Sequence, residues 1–351
     1  MTNPTHEPQK YFALALDPIH VGTGGYRLGR VDLTIVREPG TNLPKIPGTS
    51  LAGACRTYAT MQHPEKWPDC AGQGQSGNGH CGQPDCPICV TFGYAKGQGG
   101  GFQGLAQFSD ARLVFFPVHS LAGPVWVTCP AVLSDPSMTK SDLGVTEDEP
   151  PDGQVRVAPG VKGTACRALN LGWLMLEVMP KNDLSLEASK FPGVPQEILN
   201  RAVLVSNKLF SHIVNDNLEV RTSVSIDPKT GAAAEGALFT YEALPRASVL
   251  YFEVVVSNPE FYQINGQKPL SGDIERAKTA VRNGLGLFEA LGIGGMGTRG
   301  MGRLQVLDLN AGGGKWARSC RIWIACALNM AIKWRSRRGR HSIRKTVMPK
   351  T

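Results

Sequence analysis

No run of about 18 consecutive apolar residues occurs in the 351-residue chain, which argues against a membrane-spanning helix. No basic start followed by an apolar stretch marks a secretory leader, so the expected compartment is the cytoplasm. The pattern G-x-x-x-x-G-K-[ST] is missing too, and with it the usual phosphate loop of nucleotide-hydrolysing enzymes. Aromatic residues are sparse at 7%, yet 42% apolar and 19% charged residues are globular rather than disordered values. Acidic residues vanish at one end: from Lys315 to Thr351 there are eleven Lys and Arg and no Asp or Glu. Against a whole-chain charge of +8, that leaves about −3 for everything before the tail. Net charge is therefore no argument for a polyanionic partner, which has to be argued from local sites.

Glycine is what the chain has in abundance. Six glycines fall between positions 292 and 302, in Gly292-Ile293-Gly294-Gly295-Met296-Gly297-Thr298-Arg299-Gly300-Met301-Gly302. A second cluster, Gly22, Gly24 and Gly25, follows His20. Glycine backbones reach positive φ, and their N–H groups approach another molecule unobstructed. Successive N–H groups in such a loop form a concave anion site. A flexible turn is the plainer reading of either loop alone; two of them point to a polyanion.

Cysteine is clustered. Cys70, Cys81, Cys86 and Cys89 lie within twenty residues, Cys86-Pro87-Ile88-Cys89 making a C-x-x-C knuckle. The residues between them are mostly Gly, Gln, Ser and Asn, too polar to fold around a core of their own. Four thiolates on a structural Zn²⁺ would supply the missing folding energy and leave no open position for water. A redox pair or unpaired thiols are the competing readings, and His63 and His80 are spare ligands. Cys55, Cys129 and Cys166 have apolar neighbours and read as small buried residues.

The hydrophobic pattern predicts strands over 10–18, a strand pair over 105–118, and strands over 248–256 and 303–309. A helix is expected to open at Pro47-Gly48-Thr49-Ser50, with Ser50 as N-cap and Leu51, Ala54, Cys55 and Tyr58 on one face. A second helix over 272–291 runs into the glycine loop. Residues 134–165 read as an exposed loop, and 178–236, with a helix candidate over 195–216, as an insertion. The whole is expected to be α+β, an elaborated ferredoxin-like sandwich.

Three acid–base candidates stand near these loops. Asp32 follows the first glycine turn, with Arg27 and Arg30 just before it. It reads either as a surface acid paired with arginine, or as a group that holds a divalent metal or acts on a ribose hydroxyl. His20 suits proton transfer near neutrality or a structural role. Glu242 reads as a second acid or as an ordinary exposed glutamate.

His20-x-Gly22-x-Gly24 with Asp32 and Pro44-x-Ile46-Pro47-Gly48-Thr49-Ser50-Leu51-x-Gly53 resembles the opening of RAMP-superfamily proteins, the backbone subunits of type III CRISPR effector complexes. Leu105-x-x-Phe108-Ser109-Asp110-Ala111, Pro117-Val118-His119-Ser120, Val127-Thr128-Cys129-Pro130 and Gly236-Ala237-Leu238-Phe239 with Glu242 are similar, more narrowly, to the Cmr-type (III-B) backbone subunit. His119 stands where that family usually has arginine, and Tyr241 replaces the first of two acids. The resemblance implies a modified RNA-recognition-motif core over 1–312, carrying a four-cysteine zinc insertion at 63–100 and a thumb-like insertion at about 178–236. The basic tail, 313–351, falls outside it. It further implies guide RNA, complementary target RNA, stacked copies of the chain and other type III effector subunits as partners. Target RNA would be cut with Mg²⁺ or Mn²⁺ by attack of a ribose 2′-hydroxyl, with Asp32, His20 and Glu242 as the catalytic set. RNA contacts would come from Gly22, Gly24, Arg27, Arg30, Ser50, Arg56, Gly294, Gly295, Gly297, Arg299, Gly300 and Gly302.

Overall fold

The computed structural model describes residues 4–24, 31–72, 79–96, 100–134, 148–162 and 167–309. The first half contributes β1 (His6–Ala15), β2 (Lys45–Ile46), α1 (Gly48–Met61), α2 (Pro87–Phe92), β3 (Tyr94–Lys96), β4 (Gly100–Phe102), β5 (Ala106–Phe108), β6 (Ala111–Val118), β7 (Val125–Thr128), α3 (Pro130–Leu133), β8 (Gln154–Val157), α4 (Pro159–Lys162) and β9 (Ala168–Leu171). The second contributes β10 (Leu174–Asp183), α5 (Gln196–Leu199), β11 (Ala202–Leu204), α6 (Asn207–Asp216), β12 (Glu219–Ile226), β13 (Ala233–Ala243), β14 (Val249–Ser257), α7 (Ile274–Gly286), α8 (Phe288–Leu291) and β15 (Leu304–Val306).

One large mixed sheet runs in the order β15-β1-β14-β6-β7-β11-β8-β10-β9. Its first four strands, taken with α1 after β1 and α7 before β15, are a βαββαβ unit in ferredoxin-like order, every neighbour antiparallel. The α+β expectation and its RNA-recognition-motif core are thereby met.

Tyr11 to Ala15 is buried without interruption, where a half-exposed strand would alternate. Tyr11, Ala13 and Ala15 join a core that also contains Leu51, Cys55, Val281 and Leu285, so α1 and α7 cover that face. Phe12 and Leu14 point the other way, into a core built with Trp126, Phe191, Ile198 and Tyr251. Phe191 packs edge-on against both Phe12 and Phe115, at centroid distances of 5.9 and 5.3 Å. The sheet face on which many RNA-recognition motifs stack bases is therefore inside the protein.

Several expectations are corrected. Ser50 does not cap α1; the helix begins at Gly48, whose N–H donates to Asp110 Oδ1 at 2.8 Å. Asp110 also accepts from Lys45 Nζ at 2.5 Å, so a side chain from the connection between β5 and β6 caps the helix. Burial works to raise the Asp110 pKa, but the bonds from Lys45 and Gly48 prevail and hold it low. The two strands within 105–118 do not pair with each other: β5 and β6 both pair with β14. Residues 178–216 lie between β6 and β14 of the ferredoxin-like unit and extend its sheet instead of standing apart from it. β11 is fully buried between β7 and β8, and it splits the expected 195–216 helix into α5 and α6. A short apolar run such as Ala202-Val203-Leu204 fits helix or strand equally well, and only the sheet decides. The hairpin of β12 and β13 alone forms a separate ribbon in this part of the chain.

No helix among the described residues is long and apolar enough to cross a membrane. The tail from residue 310, Cys166 and half of the expected 134–165 loop lie outside the described residues, and the described half is not simply a loop, since it contains β8, paired with β11 in the large sheet, and α4.

The crossing of α1 and α7 depends on Gly284, where an added Cβ would stand 2.2 Å from the Cys55 carbonyl oxygen. Alanine favours helix, but the clash is with backbone and prevails. Gly284→Ala should lower unfolding stability in urea by about 1–3 kcal/mol; an unchanged midpoint would show the contact to be looser.

Candidate functional site

Topology brings the candidates together. β14 and β15 both run antiparallel to β1, so the segment after β1 and those preceding β14 and β15 emerge at the same end of the sheet. There residues 17–24, 31–37 and 239–244 are laced by isolated bridges: Ile19 with Leu244, Gly22 with Ile35, and Leu33 with Tyr241. Tyr241, Ala243 and Met301 form a small separate core, against which Leu33, Phe239 and Met296 pack. The hairpin base, the acid-bearing segment and the glycine loop thus share one set of apolar contacts.

Asp32 is half-buried at this junction. Its Oδ2 accepts from the Thr240 N–H at 2.7 Å and from Thr240 Oγ1 at 2.9 Å. The Asp32 N–H donates back to Thr240 Oγ1 at 3.1 Å. The Thr240 N–H, and after it the hydroxyl, hold the carboxyl below its ordinary pKa. Asp32 is thus ionised at neutral pH and suits holding a cation or orienting a hydroxyl better than taking up a proton. Among the described residues its hydrogen bonds as acceptor all fall on Oδ2, so Oδ1 has no partner there.

His20 is buried, with 6% of its surface exposed. Its Nδ1 lies 2.6 Å from the Glu242 carbonyl oxygen. A carbonyl only accepts, so Nδ1 carries the proton. The ring stands edge-on to Tyr241 at 6.0 Å, and an added Cβ at Gly22 would sit 3.0 Å from Nε2.

The Glu242 side chain is 12% exposed and pairs with Arg37, Oε2 to Nη2 at 2.9 Å. The same oxygen accepts from the Ile35 N–H at 3.3 Å. Arg37 also donates to Asn215 Oδ1 and to the Ile35 carbonyl. Through Oε2 the Glu242 carboxylate pins residues 35–37 to β13.

The glycine loop has two jobs. Gly295 N–H donates to the His20 carbonyl and Gly302 N–H to the Pro18 carbonyl, at 2.8 and 2.9 Å. A Cβ on Gly294, which has φ +82°, would lie 2.4 Å from the His20 oxygen. These residues bind the loop to the His20 segment, so the Gly295 and Gly302 amides are already paired within the protein. Gly294, Gly295, Gly297, Arg299 and Gly300 remain exposed, and the Arg299 guanidinium lies over the Phe239 ring at 5.7 Å. Gly22 and Gly24 are also exposed, Gly24 at φ +76°. Arg27 and Arg30 lie outside the described residues.

Ser50 and Arg56 are distant from this group in role. Ser50 is half-buried in the first turn of α1. Arg56 donates to the Cys70 carbonyl, the Gly93 carbonyl and His80 Nδ1, at 2.8, 2.7 and 3.0 Å. It fastens the cysteine segment to α1, with Nε, Nη1 and Nη2 all engaged within the protein. His80 accepts from Arg56, so its Nδ1 is not a spare ligand.

Cys70, Cys81, Cys86 and Cys89 bring their sulfurs within 4.8 Å of one another. Cys89 Sγ lies 3.6 Å from Cys70 Sγ and 3.8 Å from Cys81 Sγ. Sulfurs about 3.8 Å apart are what a tetrahedral thiolate set at about 2.3 Å from one ion requires. The Cys89 N–H donates to Cys86 Sγ at 3.4 Å, and hydrogen bonding from Cys89 holds the Cys86 thiol below its ordinary pKa. The cluster could hold a metal ion.

Thr240 and Arg37 carried no signal in the sequence: an isolated threonine and an arginine gain their roles only from what the fold sets beside them.

A profile of the RAMP superfamily matches residues 13–305. The CRISPR system Cmr endoribonuclease Cmr4 of Pyrococcus furiosus is 27% identical over 258 residues, covering 69% of this chain and 79% of the relative. A chain of a type III-B Cmr-β complex superposes with TM-score 0.59 in the apo state and 0.58 with cognate target RNA bound. In both states it is 14% identical, and the match covers 88% of this chain and 100% of that one. Oligomeric Cmr4 from Pyrococcus furiosus superposes with TM-score 0.52 at 18% identity, over 88% of this chain and 100% of that one. At those identities the structures bear on the fold.

The Glu242 brace is open to direct measurement. Glu242→Gln keeps the size but removes the charge facing Arg37, and should lower unfolding stability in urea by about 1–3 kcal/mol. No loss would mean that solvent serves Arg37 equally well.

Proposed function

The chain belongs to the RAMP superfamily, and from that premise we propose that it is the backbone subunit of a Cmr-type, type III CRISPR effector complex that binds guide RNA and cuts complementary target RNA. The observation that carries the enzymatic part is Asp32: an ionised carboxylate oriented by Thr240, with Oδ1 free among the described residues, at the sheet end where the glycine loop is bonded to the His20 segment. A pure scaffold has no use for a fixed negative charge beside RNA phosphates.

RNA is the substrate because the reaction needs a 2′-hydroxyl. The 2′-oxygen bonds to the adjacent phosphorus and the bond to the 5′-oxygen breaks, leaving a cyclic phosphate and a 5′-hydroxyl. The 2′-proton is lost to solvent, and the 5′-oxygen gains one. Asp32 orients the reacting ribose–phosphate. A lone carboxylate fits Mg²⁺ or Mn²⁺, which typically draw their other ligands from substrate phosphates and water and would supply neutralising charge. His20, buried and bonded through Nδ1, positions the backbone between the hairpin base and the glycine loop.

The hairpin of β12 and β13 carries Val220, Val224, Ile226 and Leu238 at 44–66% exposure. That apolar stripe, projecting from a charged surface, suits contact with RNA bases and with the next copy in a stacked filament. Pairing with the guide supplies sequence specificity, so base-reading side chains are not needed. Other effector subunits complete the assembly, which works in the cytoplasm. The four cysteines hold a structural Zn²⁺, since a closed thiolate set has no position for water.

With guide RNA and companion subunits, the protein should cut labelled complementary RNA at regular intervals in Mg²⁺ or Mn²⁺. Asp32→Ala should abolish cutting and leave assembly intact. Binding without cutting by both proteins would make the chain a scaffold. Elemental analysis should find about one zinc per chain, and Cys86→Ser should lose it together with thermal stability; an undiminished Tm would make the ion dispensable.

A further inference from the structure

We propose that Thr240 is a positioning residue for cleavage, holding Asp32 in its working rotamer from the base of the hairpin; this rests on the reading of Asp32 as the cutting acid. Thr240 makes four hydrogen bonds to the dipeptide Asp32-Leu33. Its N–H and hydroxyl both donate to Asp32 Oδ2, its hydroxyl accepts from the Asp32 N–H, and its carbonyl accepts from the Leu33 N–H at 3.0 Å. The hydroxyl thus donates and accepts in one closed ring, fixing both side chains. Threonine suits the place because its branched Cβ restricts χ1. Serine supplies the oxygen without that restriction, and valine the shape without the oxygen.

The arrangement has a consequence beyond rigidity. Thr240 lies within β13, directly opposite Thr222 of β12. The cutting acid is therefore tethered to the hairpin. The Glu242–Arg37 pair, two residues along the same strand, fixes the other end of the acid-bearing segment. An RNA that engages the hairpin engages the part of the molecule that sets where Oδ1 points.

The test is single-turnover cleavage at saturating target by assembled complexes containing wild type, Thr240→Val, Thr240→Ser or Asp32→Asn. Binding of a target bearing a 2′-deoxy sugar at the cut site is measured alongside. Thr240→Val should cut about 10- to 100-fold more slowly, the scale expected for a misplaced reacting group. Its target binding should stay within about twofold, and Thr240→Ser should recover most of the rate. If Asp32→Asn is inactive and Thr240→Val cuts at the wild-type rate, the proposal fails while the reading of Asp32 survives. If the Val and Ser variants lose cutting equally and also bind target poorly, Thr240 is merely structural and the proposal fails. If Asp32→Asn itself cuts normally, the reading of Asp32 fails first and takes the proposal with it.

Discussion

Burial of the central strand on both faces governs the rest of the molecule. Phe12 and Leu14 face one core while Tyr11, Ala13 and Ala15 face the other. No sheet surface is left there for a ligand, and polar chemistry is displaced to the strand ends. Because the neighbours of β1 are antiparallel to it, one end of the sheet gathers three connections. His20, Asp32, Glu242 and the glycine loop meet there although they are scattered over some 280 residues of sequence.

The junction is held by polar contacts more than by apolar area. The small core around Tyr241 and Met301 is modest, and the work of orientation falls to hydrogen bonds that cross between segments. Each links side chain to backbone or charge to charge: Asp32 with Thr240, Glu242 with Arg37, His20 with the Glu242 carbonyl. Bonds to charged groups are the stronger class, and a partner removed from a part-buried pair leaves the other unsatisfied. Such a junction fixes the geometry of these groups closely.

The cysteine segment is fastened differently. Arg56 reaches from α1 to two carbonyls and to His80, and Arg276 of α7 donates to Asp85, so two guanidinium groups join the segment to the core alongside packing around Ile88. The four sulfurs converge because α2 begins at the knuckle, presenting Cys86 and Cys89 one turn apart. An ion held there would stabilise this segment and take no part in the proposed cutting chemistry.

By itself the sequence determined what local chemistry determines. The strand of 248–256, the helix leading into the glycine loop and the four-cysteine cluster were legible because periodicity, composition and spacing are local properties. The motifs around His20, Asp32 and the two glycine loops were legible as a family resemblance. Tertiary structure alone decided which groups are free to act. Glu242 became a brace, Arg56 a structural clamp, Gly295 and Gly302 links to the His20 segment, and Asp110 the cap expected of Ser50. It also joined β10 and β11 to the large sheet and gave Thr240 its place beside Asp32. The reason is physical: a hydrogen bond or ion pair between residues 200 apart depends on the distance that the fold creates, and no local pattern in the sequence records it.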